Sequence, residues 1–171
     1  MKVIIDADLF EDTAVNQLDL VALFRLGFYG RHLIQTAPVS DLRVETWLSK
    51  QGEGVALECG LALEVGIRQD AHFPAANVLW VSGEGTATRG GCTAVMCLKD
   101  AVEFLQKPFR ILVEDNVADR NFVLAVAMSE SREVLFDGES KNWITFEHGG
   151  GSGLARRAEL YCADRFESLR A

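Results

Sequence analysis

An α/β protein with a largely parallel sheet and flanking helices is the fold class the sequence predicts, on three observations. Short apolar or β-branched runs recur at Val3-Ile4-Ile5, Val78-Leu79-Trp80-Val81 and Ile111-Leu112-Val113, each with the length and character of a strand buried on both faces. Longer stretches with helical spacing of apolar residues, such as Val15 to Leu26, lie between such runs. The two kinds alternate along the chain, the pattern of strand–helix–strand units. At 171 residues the length suits one domain, or one plus a small appendage, and allows a sizeable core.

The first strand, Val3 to Ile5, runs into Asp6-Ala7-Asp8 and so carries acids at its C-terminal end. After Glu11-Asp12-Thr13 a helix over Val15 to Leu26 sets Leu18, Val21, Ala22 and Phe24 on an inward stripe, and Gly27 and Gly30 are its stop signals. Leu33-Ile34 reads as a second strand closed by Pro38. Between Val55 and Ile67 every second residue is apolar, which predicts a strand over 53–70 bent at Gly60, although Ala, Leu and Glu favour helix. Val78 to Val81 is the next strand, followed by a Gly-rich loop from Ser82 to Gly91. A helix from Thr93 to Gln106 is expected to bury Val95, Met96, Leu98, Val102 and Leu105, and Pro108 ends it. Arg110 to Val113 is a strand, Asn116 to Met128 a helix with Phe122, Ala125 and Val126 on one face, and Val134 to Phe136 a short strand. Trp143 to Phe146 is a further strand, and a helix from Leu154 to about Phe166 follows. The 82–91 region is the best boundary candidate. It leaves an N-terminal α/β region over 1–106 and a second unit over 107–171, or one continuous domain.

Composition excludes several classes. With 49% hydrophobic and 25% charged residues the chain is an ordinary globular one, not disordered, collagenous or coiled-coil. No apolar run approaches the roughly 18 residues of a membrane span, and no signal-peptide pattern opens the chain, so a cytoplasmic protein without membrane contact is expected. Cys59, Cys92, Cys97 and Cys162 form no C-x-x-C pair and read as reduced thiols. The net charge of -8 argues against a surface that coats duplex nucleic acid. It leaves room for a local, metal-bridged one.

The richest segment for chemistry is Ile111-Leu112-Val113-Glu114-Asp115-Asn116-Val117-Ala118-Asp119. A buried strand delivers Glu114 and Asp115 to its C-terminal end, and Asp119 follows one helical turn later. Three carboxylates in one place are hard oxygen ligands suited to Mg²⁺ or Mn²⁺, which would bridge and polarise a phosphodiester. The same acids also serve to cap and neutralise the start of a helix. The second constellation is Glu147-His148-Gly149-Gly150-Gly151-Ser152-Gly153. Glycines between a strand and a helix allow backbone N–H groups to curl round a phosphate, and Arg156 and Arg157 add positive charge beside it. A plain turn with Ser152 as N-cap is the alternative. Glu147 and His148 would join Glu114 and Asp119 if the two strands are neighbours.

Ile111-Leu112-Val113-Glu114 with Asp119 and Phe122 resembles the opening of a Toprim (topoisomerase–primase) domain. That resemblance implies Glu114 as general acid/base and Asp119 as a supporting acid; His148 joins the candidate catalytic residues through the neighbouring strand end, not through the resemblance. It also implies a later strand bearing an Asp-x-Asp metal pair, and the chain stops at Ala171 where that strand would start. Metal-dependent processing of nucleic-acid phosphodiesters, or its regulation, is the function this implies, with activity depending on a partner, on self-association or on a further C-terminal part. The same segment resembles the first strand of a response-regulator receiver domain, which implies phosphosignalling and an accepting Asp, for which Asp164 stands at a suitable distance. Asp6 and Asp8 resemble the leading acids of PIN-type nucleases, a likeness that implies further acids at later strand ends, such as Glu84. A non-catalytic protein-interaction module is the alternative from another class.

Overall fold

The computed structural model describes residues 1–12, 15–72, 74–83, 87–151 and 153–163. The chain divides into two compact units, Met1–Gln106 and Lys107–Ala171. Both are α/β.

Unit 1 is built on a five-stranded sheet. β1 (Lys2–Asp6) pairs in parallel with β2 (Leu33–Ala37) on one side and β3 (Val78–Ser82) on the other. β5 (Thr93–Cys97) continues the parallel order beyond β3, and β4 (Thr88–Gly90) closes the edge antiparallel to β5. Val3, Ile5, Ile34, Leu79, Val81, Ala94 and Met96 turn to one buried face. Leu20, Leu23 and Phe24 of α1 (Gln17–Phe28) and Ala101, Val102 and Leu105 of α4 (Leu98–Gln106) complete that core. α2 (Leu42–Ser49) and α3 (Glu53–His72) connect β2 to β3.

Three expectations for this unit are corrected. Residues 53–70 are helical, not a strand: α3 buries Cys59, Ala62 and Gly66, the i, i+3, i+7 spacing of a helix stripe, in a segment rich in helix-favouring Ala, Leu and Glu. Thr93 to Gln106 is a strand followed directly by a helix, because Ala94 and Met96 alternate into the sheet core before α4 begins at Leu98. In α1 the inward stripe is Leu20, Leu23, Phe24 and Gly27, and Leu18 faces solvent.

Unit 2 holds two parallel strands, β6 (Phe109–Val113) and β7 (Ile144–His148), paired from Phe109 against Ile144 to Val113 against His148. α5 (Ala118–Val126) and α6 (Ser129–Ser140) connect them, and α7 (Gly153–Ala163) follows β7. Alternation along β7 sends Ile144 against Gly138 of α6 and Phe146 under the Arg120 guanidinium of α5. It sends Glu147 the opposite way, to Tyr161 and Arg157 of α7. Helices therefore flank both faces. Arg120 also grips both carboxylate oxygens of Glu139, at 2.8 and 2.5 Å, tying α5 to α6. Two further corrections fall here. Val134 to Phe136 lies inside α6, and the Phe122/Val126 face of α5 is open, 67% and 63% exposed, while Leu124 is the residue turned inward.

Candidate active site at the carboxyl edge of the unit 1 sheet

From β1 the chain turns to β2 on one side, then reaches β3 on the other side of β1. The crevice between the C-terminal ends of β1 and β3 is thus a topological switch point, where parallel sheets bind ligands. β1 ends there at Asp6 and β3 at Ser82. A cavity of about 350 Å³ occupies the place, lined by Asp6, Asp8, Leu9, Asp12, Ser82 and Gly83.

Packing aims these acids outward. After Asp6 the chain forms a 3₁₀ turn, Ala7–Phe10, capped by the Asp6 carboxylate, which accepts the Asp8 N–H at 3.1 Å. Leu9 and Phe10 are buried, and Phe10 packs edge-on to Trp47 at 5.3 Å while Trp47 stacks on Phe24 at 5.6 Å. The Trp47 indole N–H donates to the Gln17 side chain. With its apolar residues held inside, the turn leaves Asp8 on the surface and Asp12 on the cavity wall.

Arg43 brings a cation to the acids of this edge. Asp41 caps α2 by accepting the Arg43 N–H at 2.8 Å, and its two oxygens take Nε and Nη2 of the same arginine, each at 2.8 Å. The remaining edge of the guanidinium donates to Asp8 through Nη1. The guanidinium, and then the backbone N–H, pull the Asp41 carboxyl down to about 2 from 3.8, and the same contacts raise Arg43. A depressed carboxyl contributes stability that is complete above 3.8 and is lost as pH falls through about 2. Acid unfolding followed by circular dichroism is expected to show this loss in the wild type and not in Asp41→Asn, which keeps the cap and drops the charge; identical acid limbs would refute it. Sequence reasoning passed over Arg43. The available signal was the helix-start Asp41 two residues before it, but its approach to Asp8 is tertiary.

In unit 2 the predicted residues meet in part. The pairing of β6 with β7 brings Glu114 and His148 to one strand edge: a Cβ built on Gly151 would lie 3.9 Å from Oε1 of Glu114, and one on Gly150 would lie 3.4 Å from Nε2 of His148. Gly150 and Gly151 have φ of 65° and 45°, the left-handed region that favours glycine. Asp119 and Asp115, however, shape the turn into α5. Asp119 Oδ2 accepts the N–H groups of Glu114 and Asp115, both at 2.9 Å, and Asp115 Oδ1 accepts those of Val117 and Ala118 at 2.8 and 2.6 Å. The Ala118 and Val117 bonds hold the Asp115 carboxyl below its usual range, with the His148 charge adding to them. The glycine turn closes on itself too: Gly149 N–H donates to Val113, Gly153 to Gly150 and Leu154 to Gly151. Glu147 points away from Glu114, held by Tyr161 at 2.8 Å and Arg157 at 2.9 Å. Arg156 is exposed on α7, while Ser152, Glu84 and Asp164 lie outside the described residues.

Comparison with protein-family models, curated proteins and solved structures returns no match.

Among the described residues, no three His, Cys, Asp or Glu side chains are set as a metal-holding cluster. Mg²⁺ seldom needs one, being commonly bound by one or two carboxylates with water and substrate phosphate supplying the rest. Asp6, Asp8 and Asp12 line one cavity, with the Asp6 carboxylate on the Asp8 N–H and the Asp8 carboxylate on Arg43. No helix among the described residues is long and apolar enough to cross a membrane.

Proposed function

We propose that the protein carries out metal-dependent processing of nucleic-acid phosphodiesters at the crevice between β1 and β3. The observation that carries this reading is that Asp6, Asp8 and Asp12 line one cavity at the switch point of a parallel sheet. It agrees with the likeness of the Asp6/Asp8 strand end to PIN-type nucleases. A Mg²⁺ or Mn²⁺ ion bound there would neutralise phosphate charge and activate water. The chain's own part is to hold carboxylate oxygens toward the ion, with Asp6 fixed by its bond to the Asp8 N–H. Ser82 lines the same cavity.

A second reading keeps the Toprim-like acid/base in unit 2, favoured by the approach of Glu114 and His148 to the 149–151 turn. One experiment separates the two. Labelled single-stranded and duplex oligonucleotides are incubated with the wild type, Asp6→Asn and Glu114→Gln, with Mg²⁺ or Mn²⁺ and with chelator. The first reading expects metal-dependent cleavage that Asp6→Asn lowers about a hundredfold or more and Glu114→Gln leaves intact. The reverse pattern moves the site to unit 2. No cleavage by the wild type, with no heat on titrating either metal, removes both.

A further inference from the structure

No further inference is drawn: the strongest candidate, the outer border of β7 in unit 2, where Ile144, Phe146 and His148 turn their backbone N–H and C=O groups away from β6, carries nothing because nothing in the structure shows what covers it.

Discussion

Replacing Gly66 by alanine is expected to destabilise unit 1 by about 3 kcal/mol or more, at or above the upper end of ordinary overpacking costs. The new Cβ would lie 2.9 Å from the Ile34 carbonyl carbon and closer still to its oxygen. Those are backbone atoms of β2, so no rotamer change relieves the clash. Either α3 lifts off the strand or β2 shifts against β1, whose five paired residues set its register. α3 would also lose the bond from the Gln35 side chain to the Gly66 carbonyl, 3.2 Å. Urea unfolding followed by tryptophan fluorescence checks this through the midpoint at constant slope. A midpoint within 1 kcal/mol-equivalent of the wild type, on the order of experimental scatter, would show that the approach is looser than described. Gly60, with nothing within 4 Å of its would-be Cβ, is the control. Gly60→Ala is expected to stabilise α3 by up to about 1 kcal/mol.

Phe24→Ala is expected to cost about 3–5 kcal/mol, the range for emptying a buried aromatic. Phe24 is fully buried and touches both Phe10, at 6.1 Å between centroids, and Trp47, at 5.6 Å. The loss reaches the site as well. Phe10 closes the 3₁₀ turn that presents Asp8, and Trp47 belongs to the helix that carries Arg43. The variant is therefore expected to bind Mg²⁺ more weakly even at temperatures where it remains folded. Calorimetric unfolding and ion titration on the same preparation check both halves. Normal ion affinity in a destabilised variant would separate the aromatic cluster from the site.

Much of the fold is legible in the sequence, and the failures have physical causes. β1, β3 and β6 lie in short apolar runs with turn signals nearby, so composition alone marks them. α3 misleads because its inward residues are small, Cys59, Ala62 and Gly66, as close packing on α1 and β2 demands. Its larger Leu57 points to solvent, 62% exposed, so the strongest hydrophobic signal comes from the wrong face and happens to alternate. β5 is hidden by its direct junction with α4, where the period changes from two to 3.6 without a loop to mark it. The Val134–Phe136 trio has strand propensity, yet in α6 both Val134 and Phe136 are exposed and pack no sheet. At the site, Asp6 and Asp8 are readable as acids at a strand end. Asp12 and Arg43 are not, since both arrive through the folding of the turn and α2.

The contact that makes Gly66 indispensable has a separate consequence for how molecules of this protein meet. Leu33 N–H donates to Met1, inward toward β1, so Ile34 turns its own N–H and C=O to the outer border of the sheet. There α3 lies over them at Gly66. The opposite border ends in β4, three residues long and finishing at Gly90. One margin is roofed and the other is too short to serve as a template. Unit 1 therefore offers a neighbouring chain little strand backbone to pair with at Ile34 or along β4.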